Sequence, residues 1–408
     1  MLLHADYPGE QRVEAEVRAA IAAGFDVDIL TTRRPGEDAE SEVEGARVIR
    51  LPIEHRRGMG LAAVLREYVG FTLVATYRAA RLAWRHRYGV VQVHNPPDFL
   101  VVAALVPRLL GAKMVFDVHD LGPDMFMMRF ENAPGGVTDR ALRVVERWAA
   151  RLSDAVLTVH EPYRQELENR GVAKHKITVV MNSLDERLLP SDTEPEEQPG
   201  AFRIVYHGTV TPHYGVGLLV EAAARVRTSY SGLIVEIYGE GDAVPKITAR
   251  VRELGLEEVV RIHPVFLAQD EVLRKVQFAS VGVVPNLPIA LNRFALSTKL
   301  LEYVALGIPV VSADLPTIRY HFSEDEILFF RAGDAASLAC ALEQVAADPE
   351  AAARRASAAR ARYAEYRWER NALEYTTLMW RMAGTRSVAT RPEAEPGTGS
   401  DHGSAGIS

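Results

Sequence analysis

The chain has 408 residues, too many for a single hydrophobic core, so two domains are the first expectation. Its formal net charge of −7 favours solubility and argues against broad nucleic-acid binding. Cys340 is the only cysteine, which excludes an intrachain disulfide and fits a reducing cytoplasm.

Taken in order, Met1 to His4 is short for an opening strand, so the true start is expected upstream of Met1. Val13 to Ala23 reads as a helix, and strands follow at Val27 to Thr31 and Val48 to Leu51. Asp26-Val27-Asp28 spells a metal-binding triplet, but it begins a strand rather than ending one, and no metal is assigned to it. Between His55 and Tyr88, seven arginines from Arg56 to Arg87 interleave with Leu61, Leu65, Phe71, Val74, Leu82 and Trp84. That basic amphipathic pattern suits a plain surface helix or peripheral contact with an anionic bilayer. No uncharged apolar run long enough to span a bilayer is found, and no secretory signal is read.

Strands at Val90 to His94 and Lys113 to Val118 flank a helical pattern from Phe99 to Leu110. Ala155 to Val159 and Ile177 to Met181 complete a first series. Ser191 to Gly200 turns acidic, with Pro and Gly and no apolar periodicity, and reads as a linker. A second series runs through Ile204 to Tyr206, Ile234 to Tyr238, Val260 to His263, Val281 to Val284 and Pro309 to Ser312. An Ala- and Arg-rich helical stretch containing Cys340 follows, and Cys340 is expected to be inert packing there. Trp368 to Met382 is the last helix, and 385–408 lacks aromatics and is expected to be disordered. Alternating strands and helices read as α/β with parallel sheets. Two Rossmann-like domains facing a central cleft follow, with ligands beyond the carboxyl ends of the strands.

The run from Ser297 to Val311 carries the chemistry. Ser297-Thr298-Lys299 opens an amphipathic helix, Glu302 lies on the same face, and Gly307 stops it before an apolar strand. A helix start offers unpaired N–H groups and partial positive charge to an anion. Lys299 adds a full charge for a phosphate, and Glu302 can accept from sugar or ribose hydroxyls. Gly208-Thr209 and Gly239-Glu240-Gly241 follow strands, where small residues let backbone N–H groups approach a phosphate. His119 and Asp120 end a first-domain strand, with His94, Asn95 and Asp98 on a neighbouring loop. Arg12 reads as an ordinary helix arginine and His213 as a surface histidine.

Lys299-Leu300-Leu301-Glu302-Tyr303 resembles the nucleotide-sugar motif of family 4 glycosyltransferases, in its lysine-leucine-x-glutamate-tyrosine version. Tyr7 to Val13, Val91 to Asp98, Phe116 to Leu121, Val179 to Asp185, Tyr206 to Thr209 and Tyr238 to Asp242 resemble that family's other loops, in order. The resemblance implies the GT-B architecture: an acceptor-side domain over 1–190, a linker at 191–200, and a nucleotide-sugar domain over 201–365. A helix at 366–384 then returns to the first domain, and the tail occupies 385–408. It implies transfer of a sugar from a nucleoside diphosphate sugar to an acceptor glycan, lipid-linked saccharide or small molecule. Retention of configuration, no metal and no further cofactor come with it. His119 is expected at the sugar or acceptor, Glu302 at the ribose, and Lys299 at the diphosphate. Ser297, Thr298, Gly208, Thr209, Gly239, Glu240, His94, Asn95 and Asp120 complete the expected site. The protein is expected in the cytoplasm, with peripheral contact at the inner membrane face through 55–88.

The chain departs from the family at Phe294, where relatives carry a glutamate that touches the transferred sugar. The loop after Gly208 lacks the usual arginine and lysine. A nucleotide-sugar epimerase on the same fold stays open as one alternative, and these departures motivate another, a non-catalytic binding protein.

Overall fold

The computed structural model describes residues 1–54, 60–130, 135–190, 201–230 and 232–384. The expected linker and tail lie outside the described residues, as do His55, Arg56 and Arg57.

The first domain begins with α1 (Gln11–Ala22), β1 (Asp28–Thr31), β2 (Glu40–Val43), β3 (Ala46–Arg50) and the long helix α2 (Leu61–Arg85). After β4 (Val90–His94) a 3-10 turn leads into α3 (Leu105–Leu109), β5 (Lys113–Val118), α4 (Gly122–Arg129) and α5 (Val137–Leu152). It closes with β6 (Ala155–Thr158), α6 (Glu161–Asn169) and β7 (Ile177–Val179). Strands order as β2-β3-β1 and β4-β5-β6-β7, all parallel except β2 against β3. Leu2 pairs in parallel with Leu30 of β1 and Val93 of β4, so it stitches the two pieces together.

The second domain contains β8 (Phe202–His207), α7 (Val216–Val226), β9 (Leu233–Tyr238), α8 (Val244–Glu253), β10 (Val260–His263), α9 (Gln269–Val276) and β11 (Val281–Val284). It continues through α10 (Thr298–Leu306), β12 (Val310–Ala313), α11 (Pro316–His321), β13 (Leu328–Phe330), α12 (Ala335–Ala347) and α13 (Pro349–Tyr363). Its six parallel strands order as β10-β9-β8-β11-β12-β13. The order reverses between β8 and β11, which opens a crevice at their carboxyl ends. Strand β11 is buried on both faces, as its unbroken Val-Gly-Val-Val run demands. Gly282 in that strand has a purpose: a Cβ there would sit 2.4 Å from the Tyr303 ring. The missing side chain lets α10 press onto the sheet. Tyr303 then accepts from the His207 amide at 3.2 Å and pins α10 to β8.

The last helix, α14 (Trp368–Ala383), packs on the first domain. Its Tyr375, Leu378 and Met379 share a core cluster with Ala19, Ala20, Val115, Leu157 and Val180. Asn371 accepts from the Met181 amide at 2.8 Å, and Tyr375 donates to Gln92 at 2.8 Å.

Some sequence expectations change. The pattern from Phe99 to Leu110 is mostly 3-10 up to Ala104, with only a short α-helix after it. Strands β2 and β13 were not foreseen. Cys340 is exposed on α12 rather than packed. Among the described residues no helix is long and apolar enough to cross a membrane.

Candidate active site

Helix α10 starts at the crevice. Ser297 occupies its N-cap position, but its side chain makes no capping bond and its Oγ accepts from Asn286 at 3.2 Å instead. Lys299 is buried, with its Nζ 5.1 Å from the centre of the Tyr206 ring and 4.8 Å from that of Tyr214. No carboxylate among the described residues lies in ion-pair range of it. Burial lowers its pKa to about 8, with Glu302 pulling the other way. A buried ammonium without a counter-ion is costly. The two aromatic faces offset part of that cost, and an incoming anion would offset the rest.

Glu302 is buried on the same helix. It accepts from Gln269 at 2.7 Å, and burial raises its pKa. His207 Nε2 approaches it to 3.1 Å but is not aligned as a hydrogen bond. Burial, then the charge of Lys299, lowers the His207 pKa to about 3, so this imidazole is neutral.

The glycine loops differ from expectation. The Gly208 amide donates to Tyr238 at 2.9 Å and the Gly239 amide to His263 at 3.0 Å, so neither is free for a phosphate. Gly239 has a different task. Its φ is +148° and a Cβ on it would lie 1.9 Å from the Gly208 carbonyl oxygen, so it lets the two loops cross. Gly208 itself, at φ +105°, touches Lys299, since a Cβ there would be 3.2 Å from Cε. Thr209 and Glu240 are exposed, and neither these two nor the glycines line the cleft cavities described below.

In the first domain, β4 and β5 end side by side and bring His94, Asp117 and His119 together. His119 Nε2 lies 3.2 Å from an Asp117 oxygen and 3.0 Å from His94 Nδ1. His94 is wholly buried behind His119 and does not reach the cleft, against expectation. Burial lowers its pKa to about 4 despite the neighbouring carboxylate. Asn95 accepts from the His119 amide at 2.8 Å, donates to the Asp120 carbonyl at 2.8 Å, and so fixes that loop. Asp98 sits behind it, accepting from Asn95 at 2.9 Å, and burial raises its pKa to about 6.

Arg12 is no surface arginine. It is buried, donates to both Asp117 oxygens at 2.9 and 3.3 Å, and reaches the Val180 carbonyl and Asn182. The three residues His94, Asp117 and His119 offer ligand-type atoms within 4.8 Å of one another. Arg12 and Gln92 already fill the Asp117 carboxylate, so the trio acts as a hydrogen-bonded support that holds His119. A cue in sequence was Arg12's place just inside a helix that follows a Pro-Gly loop, but periodicity cannot show burial.

His119 and Asp120 line three cavities that meet. The largest, about 1010 Å³, runs between the domains past Asn182, Gln269, Thr298 and Glu302. A second, about 210 Å³, connects His119 to Ser297, Thr298 and Lys299, with Tyr163 and Tyr214 on its walls. The third, about 500 Å³, lies in the first domain beside Asn95, Tyr68 and Arg129. Gln269 carried no motif, and Asn182, Tyr206 and Tyr214 lay in or beside the resembling loops but were given no role. Phe294 lines none of these cavities. It packs on the first-domain core, its ring stacked on Tyr163 at 6.2 Å and 19°.

Comparison with known proteins identifies the family and the fold. Residues 9–183 match the model of the glycosyl transferase 4-like domain, and residues 201–348 match that of glycosyl transferases group 1. The chain is 27% identical over 374 residues to a glycogen synthase from Mycobacterium tuberculosis, covering 86% of this chain and 85% of that one. It is 19% identical over 278 residues to a chitobiosyldiphosphodolichol beta-mannosyltransferase from Candida albicans, covering 62% of this chain and 59% of that one. Among solved structures, sucrose-phosphate synthase from Thermosynechococcus elongatus superposes with a TM-score of 0.71 at 21% identity, covering 92% of this chain and 94% of that one. Anabaena HepE, solved with UDP and glucose, gives 0.69 at 14% identity, covering 93% and 98%. The architecture is GT-B, and the chain belongs to the family 4 glycosyltransferases.

Proposed function

We propose that the enzyme binds a nucleoside diphosphate sugar across α10 and transfers the sugar, with retention and without a required metal, to an acceptor hydroxyl held beside His119. One observation carries this reading: Lys299 is a buried, caged ammonium at a helix start, open to the cleft, with no carboxylate in ion-pair range among the described residues. That is a receptor for a diphosphate. The α10 N–H groups extend it, and Glu302 lies one turn further along the cleft for the ribose hydroxyls. The solved HepE complex with UDP and glucose supports the donor class.

In the transfer, the bond from the anomeric carbon to the diphosphate oxygen breaks as the bond to the acceptor oxygen forms. The acceptor proton passes to the departing phosphate oxygen, and Lys299 with the helix start steadies the negative charge that develops. His119, oriented by Asp117 and Asn95, contacts the sugar or the acceptor.

Calorimetric titration of UDP and other nucleoside diphosphates is the direct test. Lys299→Ala removes a charge-assisted hydrogen bond of roughly 1.5–3 kcal/mol, so binding weakens by about tenfold or more. Should the Lys299→Ala, Glu302→Gln double variant bind and turn over every donor as the parent does, the reading fails. Retention is checked by the anomeric configuration of the product, and metal independence by turnover in a chelator.

A further inference from the structure

The outer helices of the first domain carry most of the exposed large apolar side chains. Helices α2 and α5 cover one face of the first sheet, where Phe71, Ala75 and Ala79 join Ala149 and Ala150 in one core cluster. On its solvent side α2 shows Val69, Leu73, Tyr77 and Trp84, at 49%, 67%, 63% and 75% exposure. Steps of four, four and seven keep these on one helix face. Helix α5 shows Val137, Val144 and Trp148 at 85%, 53% and 41%, again in helical step. Leu109, at 84%, ends α3, which packs beside α2. Single exposed apolar residues are ordinary, but two parallel stripes on one layer are not.

The same layer is cationic on an anionic chain. Helix α2 carries Arg66, Arg78, Arg81 and Arg85 against Glu67. Helix α5 carries four arginines against Asp139 and Glu146, and α3 adds Arg108. Nine arginines against three acids give +6 on this layer, while the whole chain is −7. The four α2 arginines make no ion pair among the described residues.

We propose that this face docks the enzyme on an anionic lipid bilayer. The apolar stripes of α2 and α5 enter the headgroup boundary, and the α2 arginines meet lipid phosphates, whereas Arg108 and Arg143 keep their partners Asp154, Asp124 and Asp139. Aromatic residues on both helices suit that boundary, where a ring body is buried and its polar edge stays wet. A planar, fluid, negative surface matches both convex stripes at once. The docking does not depend on the donor chemistry. One consequence does rest on the transfer reading: the 500 Å³ cavity is walled by Tyr68 of α2 and Arg129 of α4, so a membrane-borne acceptor would enter beside the docked face.

Flotation of the full chain with vesicles tests this. The protein floats with phosphatidylglycerol-containing vesicles at low salt and stays at the bottom with pure phosphatidylcholine. Leu73→Glu with Trp84→Glu, and separately Val144→Glu with Trp148→Glu, each lower the bound fraction about tenfold or more, with unchanged thermal melting. No flotation at low salt, or flotation indifferent to both pairs, overturns the proposal. So does a parent that is dimeric without vesicles and turns monomeric in these variants, since a second copy then covers the face. UDP titration of the same variants separates the two ideas: lost flotation with intact UDP binding supports docking, and lost UDP binding with intact flotation in Lys299→Ala bears only on transfer.

Discussion

Lys299 sets a pH dependence that other parts of the cleft do not share. Its pKa in the free enzyme is lowered to about 8 by burial. A bound diphosphate favours the charged form and raises that value. Donor affinity is therefore full below about pH 8 and falls as the pH rises through it. Titration of UDP across that range measures the fall. Lys299→Arg keeps its charge throughout, so its profile is flat even where its absolute affinity is lower. Arg12 governs stability instead. Removing it leaves Asp117 buried without its guanidinium partner. Arg12→Ala should cost about 3–5 kcal/mol in urea unfolding, and activity should fall with it because His119 loses its support. Lys299's role was legible in part and Arg12's was not. The motif around Lys299 flagged an anion site, yet its tyrosine cage comes from β8 and the turn before α7, far apart in sequence. Arg12 looked like any helix arginine because burial by a distant strand leaves no local trace.

Elements were easier to read than roles. Strands β4, β5 and β11 lie where their buried runs lie, because a parallel sheet covered on both faces needs such runs. Strand β2 escaped because Glu-Ser-Glu-Val sits at an antiparallel edge, half wet, without an apolar face. Strand β13 escaped because three residues carry no period. The helical pattern after Phe99 tightened into 3-10 geometry, which periodicity of this length cannot separate from α. The Gly282–Tyr303 contact is the element-scale test. Gly282→Ala forces a methyl into the Tyr303 ring and pushes α10 off the sheet. An overpacked core typically loses about 1–3 kcal/mol. Because α10 carries both Lys299 and Glu302, UDP affinity should drop together with the melting temperature, unlike in Lys299→Ala, where affinity falls but removal of a costly buried charge does not lower the melting temperature.

At the scale of the whole molecule, two domains meet at a cleft, and Phe294 crosses it to stack on Tyr163. At this position the resemblance led one to expect a carboxylate facing sugar. The aromatic ring instead ties the second domain to the first. Phe294→Ala should loosen that interdomain contact, seen as a larger radius of gyration in small-angle scattering without nucleotide, and as a larger decrease on adding UDP than the parent shows.

Helix α14 has a consequence for synthesis. The first domain's sheet is covered on one side by Tyr375, Leu378 and Met379, which leave the ribosome after the whole second domain. Until they emerge, Val115, Leu157 and Val180 face water, so the earliest-made half of the polypeptide waits for α14 before its interior is sealed. A nascent chain stalled short of residue 366 should therefore bind chaperones and stay protease-sensitive, however complete its own strands are.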